Sequence, residues 1–190
     1  MSPFARSFCT GRLYQAFARR VLVPWGLQGV RLSGSALEIG CGSGAMAAQL
    51  LRMLPELSLV ATDYDAEMVA VAAETLAAFG HRAQVRHADA TQLPFADARF
   101  DAVLSFVMLH HVGDWKKAVA ESIRVLRPGG MLIGYDLLDV LPFHGGHHGD
   151  GQMIRPGQLE RAMAELPVRQ VRVTRGLVGL VIRFHVTKAP

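Results

Sequence analysis

Leu37-Glu38-Ile39-Gly40-Cys41-Gly42-Ser43-Gly44 is the stretch that decides the fold of this 190-residue chain. A short apolar run carrying one acid leads into three glycines on alternate positions. Glycine tolerates the backbone angles of a sharp strand-to-helix turn and leaves N–H groups bare for a bulky ligand. The stretch is therefore expected to be a ligand-binding loop at the end of a buried strand. Its ligand is open at this point, because Gly40, Gly42 and Ala45 also fit the G-x-G-x-x-G/A pattern of nicotinamide and flavin folds.

Outward from the loop, the chain alternates strand, turn and helix. Residues 36–40 read as the first strand and 44–54 as the first helix, ended by Pro55. A strand follows at 57–63, then a helix capped by Asp65 and stopped by Gly80, then a strand at 83–89. The second half repeats the scheme: strand 101–109, helix 115–126, and the turn Arg127-Pro128-Gly129-Gly130 into a fifth strand at 131–138. Such alternation predicts right-handed crossovers and a doubly wound, mostly parallel α/β sheet. Residues 168–174 and 180–187 are strand-like on either side of Arg175-Gly176, which predicts an antiparallel C-terminal hairpin completing seven strands.

The length suits a single domain over residues 1–190. Its expected parts are an N-terminal helical segment (1–30), a ligand-binding core (36–138), a substrate loop and helix (139–166) and the hairpin (167–190). Hydrophobic residues make up 51% of the chain but aromatics only 7%, as expected for parallel strands buried on both faces by aliphatic side chains. Cys9 and Cys41 have no C-x-x-C spacing, so neither a disulfide framework nor a zinc site is expected, and a reducing cytoplasmic location fits. No apolar run reaches the length of a membrane span, and arginines interrupt the N-terminus, so no export signal is expected. The net charge of +4 comes from scattered basic residues rather than a block, which argues against a nucleic-acid footprint. Oligomeric state is not legible.

Residues 12–23 place Leu13, Tyr14, Phe17, Ala18, Val21 and Leu22 at helical spacing, with Arg12, Gln15, Arg19 and Arg20 largely elsewhere, until Pro24 is expected to stop the run. This basic amphipathic helix reads as a flank packed on the domain, a lid over the ligand or a membrane-surface helix, the last being least favoured.

Two further acids end strands. Asp63 closes the second strand, where a nucleotide fold puts a carboxylate on ribose hydroxyls. Asp89, followed by Ala90, joins a side-chain acceptor to a backbone N–H, which suits an adenine edge. Each acid taken singly also reads as a helix cap.

With these residues in place, the chain resembles the class I S-adenosylmethionine-dependent methyltransferases of Rossmann-like fold. The segments that carry the resemblance are LEIGCGSG, ATDYDAEMV, DATQLPFADARFDAVLSFVMLHHV and RVLRPGGMLI, over about residues 36 to 138. The resemblance implies S-adenosyl-L-methionine as cofactor and S-adenosyl-L-homocysteine as product. It implies that Gly40, Cys41, Gly42 and Gly44 lie against the methionine and ribose, with Glu38 near the amino group. Asp63 would hold the ribose hydroxyls, Tyr64, Asp89 and Ala90 the adenine, and Ser105 and Phe106 the pocket floor. Apart from the resemblance, Tyr14 and Tyr135 read as alternative polar contacts at the site. A dehydrogenase loses ground, because 190 residues ending in a hairpin leave little chain for nicotinamide and a separate substrate site.

A sulfonium methyl is already activated, so the protein's task is to align nucleophile, carbon and sulfur and exclude water. A protonated oxygen or nitrogen also needs a base, and histidine suits neutral pH best. The candidates are His110 and His111 after the fourth strand, and His148 with His144 and His147 in the loop Phe143 to Asp150; Asp136 is read as a proton acceptor or amine contact. The loop histidines are read as a substrate lid or solvated turn, and no metal site is expected. The expected reaction is in-line methyl transfer to O, N or S of a small molecule. The alternatives are a lipid-like acceptor at a membrane surface and a cofactor-binding module without turnover.

Overall fold

The computed structural model describes residue 16 and residues 18–138, 154–176 and 179–190. Seven strands form one sheet: β1 Gly34–Ile39, β2 Leu57–Asp63, β3 Ala83–His87, β4 Phe100–Phe106, β5 Leu126–Leu137, β6 Val168–Gly176 and β7 Val181–Lys188. Their order is β3-β2-β1-β4-β5-β7-β6. The first five run parallel, and β7 inserts antiparallel between β5 and β6. The strand order reverses between β1 and β4, which opens a crevice at the carboxyl ends of the strands. The glycine loop leaves β1 at that point.

Successive side chains of a strand point to opposite faces, so a sheet covered on both sides needs continuous apolar strands. Leu37, Ile39 and Val103 pack on one side against α4 (Trp115–Val125) and α5 (Gln158–Ala164). Ala36, Ala61, Leu104 and Ile133 pack on the other against α2 (Ala45–Met53) and α3 (Ala66–Leu76). This is the doubly wound arrangement the alternating pattern predicts.

The helix ends follow local chemistry. Asp65 Oδ1 accepts the Glu67 N–H at 3.0 Å to start α3, and Asp114 Oδ1 accepts the Lys117 N–H at 3.0 Å to start α4. At the far end of α2, Arg82 donates to the carbonyls of Leu51 (3.1 Å), Pro55 (3.2 Å), Leu54 and Leu57 (both 3.3 Å). One guanidinium thus binds carbonyls at the helix end and along the turn into β2, the Leu54 carbonyl also accepting the Leu57 N–H at 3.1 Å. Arg82→Ala should lower stability by ~2 kcal/mol, because four acceptors lose a charged donor while water reaches only some of them. Urea unfolding measures this, and Arg82→Lys should recover less than half, since an ammonium cannot span the same fork.

The structure differs from the sequence expectations at several ends. Pro24 does not stop the N-terminal helix: a π-helical turn, Ala18–Leu22, runs into α1 (Val23–Gly26), with Pro24 in its first turn, where a missing N–H costs nothing. This segment is tied to the sheet. Arg183 Nη1 donates to the Trp25 carbonyl at 2.8 Å, His185 Nε2 lies 2.6 Å from the Gly26 carbonyl, and the Trp25 ring packs on Tyr135. The third strand ends at His87 rather than Asp89. The fifth strand begins already at Leu126, because a bulge opposite Phe100 and Ala102 and a left-handed Gly129 (φ 77°) let the RPGG turn stay within the sheet. Gly80 breaks the helix after α3 with φ 56°, but a 3₁₀ stretch from Ala77 to Arg82 bridges it. No described helix is long and apolar enough to cross a membrane.

Candidate cofactor and active site

All three glycines of the loop are left-handed: Gly40 at φ 64°, Gly42 at 52° and Gly44 at 75°. A Cβ on Gly40 would stand 2.7 Å from Met108 Cβ, and one on Gly44 would press on Ala72 at 3.2 Å. No described residue lies within 4 Å of the position a Cβ would take on Gly42, so among the described residues the middle of the loop is open. Asp63, at the end of β2, fixes this turn: Oδ2 accepts the Gly42 N–H at 2.7 Å and Oδ1 accepts the Asp65 N–H at 2.9 Å. A carboxylate has about four acceptor positions, so two remain for a ligand.

Glu38 lies beneath the loop, 1% exposed. Its Oε2 is buried with no hydrogen-bond partner among the described residues. Burial pushes its pKa up to about 8, the negative charge of Asp63 adds to this, and the Ala47 N–H opposes it. A buried carboxyl oxygen without a donor is costly in an apo fold and fits a ligand that brings a cationic donor. Burial, then Glu38 and Asp63, also push the Cys41 thiol well above its ordinary range, so Cys41 contributes packing and backbone rather than a nucleophile.

On the far side of Asp63, the Tyr64 ring is 71% exposed and stands beside the His87 ring at 5.7 Å. Asp89 closes its own turn, its Oδ1 accepting the Thr91 N–H and hydroxyl, both at 2.8 Å, while Ala90 is buried. The loop that follows is anchored by Arg124, which binds Glu121, Asp97 and the carbonyls of Phe95 and Leu93. Glu121 in turn accepts the Leu93 N–H, and its bond to Arg124 is the main cause holding its carboxyl below the usual range. At the end of β4, Ser105 is fully buried with Oγ unpartnered among the described residues, and Phe106 stacks on Tyr135 at 5.1 Å.

Beyond β4 the chain is strained. Val107, a β-branched residue, has φ 54°, a conformation kept only where surrounding structure enforces it. Its N–H donates to the Tyr135 carbonyl at 2.8 Å. His110 follows in a 3₁₀ turn, Leu109–His111, and is buried with Nδ1 2.6 Å from Asp136 Oδ1. His111 is exposed, its ring centroid 3.9 Å from that of His110. Asp136 is fully buried, so the amine contact read from the sequence is replaced by bonds to the protein itself. Tyr14, His144, His147 and His148 lie outside the described residues. The structure thus joins the glycine loop to Asp63, sets Glu38 beneath that loop, and keeps Asp89 within its own turn. Sequence reasoning missed Val107, which no residue pattern announces, and Thr62, whose hydroxyl donates to the Glu38 carbonyl at 3.0 Å. No group of three His, Cys, Asp or Glu among the described residues is placed to hold a metal ion.

A parallel sheet with a left-handed glycine turn at its switch point, an acid under the turn and a second acid at the next strand end defines a nucleotide-type cofactor fold. The family described as "Methyltransferase domain" matches residues 37–134, more than half of the chain. The chain belongs to that family, the class I S-adenosylmethionine-dependent methyltransferases that its motifs resemble. It is 36% identical over 104 residues to a ubiquinone/menaquinone biosynthesis C-methyltransferase of Desulfotalea psychrophila, covering 55% of this chain and 42% of that one. It is 32% identical over 134 residues to the 27-O-demethylrifamycin SV methyltransferase of Amycolatopsis mediterranei, covering 68% and 48%. The chain therefore spans less than half the length of these curated relatives. A methyltransferase of Aquifex aeolicus shares the fold with a TM-score of 0.78 at 17% identity, each chain covered in full. The family's cofactor carries an ammonium, a sulfonium and a ribose diol. The orphaned Glu38 oxygen, the spare acceptor positions of Asp63 and the open space at Gly42 fit such a group.

Proposed function

We propose that the chain transfers the methyl group of S-adenosylmethionine to carbon or oxygen of a small hydroxylated ring compound. The observation that carries the cofactor part is the buried, unpartnered Glu38 oxygen beneath a left-handed glycine turn that Asp63 holds open. In this reading Gly40, Cys41, Gly42 and Gly44 present backbone to the methionine and ribose, Glu38 faces the amino group, and Asp63 takes the ribose hydroxyls. Tyr64, Asp89 and Ala90 border the adenine, and Ser105 and Phe106 form the floor.

The acceptor reading rests on one chemistry that serves both a carbon and an oxygen acceptor. One is named for a carbon acceptor and another for an oxygen. Loss of a proton from a ring hydroxyl makes both its oxygen and the neighbouring ring carbon nucleophilic, so one site architecture serves both outcomes. This widens the expected acceptor atoms, O, N or S, to include carbon. Bound S-adenosylmethionine supplies an activated methyl group; the chain's residues align it and keep water out.

Incubation with methyl-labelled S-adenosylmethionine and 1,4-dihydroxynaphthalene under nitrogen tests this. A product heavier by one methyl group is expected. Binding of S-adenosylhomocysteine with no methyl transfer to this probe would contradict the acceptor, and no binding would contradict the enzyme.

A further inference from the structure

We propose that His87 is a positioning residue of the cofactor site. It holds the peptide between Tyr64 and Asp65 so that the Asp63 carboxylate and the Tyr64 ring are set for the adenosine half of S-adenosylmethionine. The inference rests on the cofactor reading above and adds to it a residue that acts through its neighbours.

His87 ends β3 as Asp63 ends β2, and the two are paired across the parallel ladder. Both therefore stand at the carboxyl ends of the strands, where an open α/β sheet takes its ligands. The Ala88 N–H donates to the Asp63 carbonyl at 3.0 Å, so the two strand ends stay fastened past the last pair. From this place His87 Nε2 lies 2.8 Å from the Tyr64 carbonyl oxygen. A carbonyl oxygen only accepts, so the proton of this contact is on Nε2. The His87 ring also stands beside the Tyr64 ring, with centroids 5.7 Å apart and planes 34° from parallel.

The bond acts on a peptide unit that is gripped at both ends. Its oxygen takes the His87 N–H, and its own N–H, that of Asp65, goes to Asp63 Oδ1 at 2.9 Å. Asp63 Oδ2 in turn takes the Gly42 N–H at 2.7 Å. A row of hydrogen bonds thus runs from β3 through one peptide and one carboxylate to the glycine turn. Bonds in such a row polarise one another, so the His87 donor strengthens the hold of the Asp65 N–H on Asp63.

Two consequences follow for a ligand at this edge. A carboxylate oriented before the ligand arrives loses less freedom on binding, which favours the ribose contacts assigned to Asp63. The Tyr64 ring, 71% exposed, belongs to the residue whose carbonyl His87 holds, and its flat apolar face suits a purine. Removing the His87 donor frees the peptide to turn its oxygen toward water. That loosens the carboxylate and the ring together, so the adenosine half of the cofactor bears the loss.

The test measures binding of S-adenosylhomocysteine and of 5′-methylthioadenosine, which lacks the amino-acid half, by calorimetry. His87→Phe keeps a ring beside Tyr64 without a donor, and His87→Gln keeps an N–H where Nε2 stood. His87→Phe should weaken both ligands about tenfold, the scale of one hydrogen bond, and His87→Gln should recover most of that loss. Binding of both ligands by His87→Phe within about twofold of wild type would overturn the proposal, since no hydrogen bond of ordinary strength would then be at stake. An equal loss in His87→Gln would overturn it too, and so would a loss confined to S-adenosylhomocysteine. Amide NMR of the unliganded protein supplies a second readout: the Asp65 and Gly42 amide protons should shift in His87→Phe, and unmoved signals would overturn the row of bonds. A third is read on wild type and needs no variant to fold. Long-range ¹H–¹⁵N NMR at pH 8 should find the His87 proton on Nε2, and a proton on Nδ1 alone overturns the proposal. Failure of the wild-type protein to bind S-adenosylhomocysteine would instead overturn the cofactor reading on which this rests.

Discussion

Asp63→Ala should weaken S-adenosylhomocysteine binding by roughly 100-fold. The carboxylate holds the Gly42 and Asp65 N–H groups, and in the proposed complex it also accepts the ribose hydroxyls. Losing the ribose contacts and the fixed shape of the glycine turn together should cost about 3 kcal/mol, given ~1.5–3 kcal/mol for one hydrogen bond to a charged group. Asp63→Asn keeps an acceptor for Gly42 or Asp65 but loses the charge, and should fall between. Calorimetry that finds the alanine variant within threefold of wild type would remove Asp63 from the site.

Glu38→Gln should change stability and binding in opposite directions. The Glu38 pKa moves from an ordinary 4.5 to about 8 in the fold. Between these values the folded chain keeps the proton that the unfolded chain has released. The stabilising effect of that proton is complete below about pH 4.5 and is lost as pH rises through about 8. Glutamine, an uncharged isostere, escapes this loss. The variant should match wild type near pH 4 and exceed it by ~4 kcal/mol near pH 8, since a tenfold change in a proton's binding constant is worth about 1.4 kcal/mol. Urea unfolding at the two pH values measures the gap, and a constant difference would show that Glu38 does not titrate across that range. The same substitution should weaken S-adenosylhomocysteine binding at least tenfold by removing the anion beneath the loop, the usual exchange of stability for function at a site.

How much of this is legible in the residues depends on the range of the interaction involved. The glycine turn, Asp63 and the alternation of strand and helix are local patterns, and the structure reproduces the architecture they predict, including the antiparallel strand inserted near the C-terminus. Element ends are less legible where two local signals compete. Pro24 reads as a stop, yet it is equally at home in a first helical turn, and only the docking of α1 on β5 and β7 decides. Asp89 reads as the end of a strand, but its carboxylate finds Thr91 two residues on and turns the chain away. The link between His110 and Asp136 spans two strands, and the positive φ of Val107 follows from the packing of both; neither leaves a trace in residue spacing.

Titration of S-adenosylhomocysteine into the wild-type protein at pH 7, by calorimetry in two buffers of different ionisation heat, tests the central claim most directly. One cofactor should bind per chain and release close to one proton, as the ammonium group draws Glu38 into its ionised form. The absence of any binding heat at millimolar ligand would contradict the account.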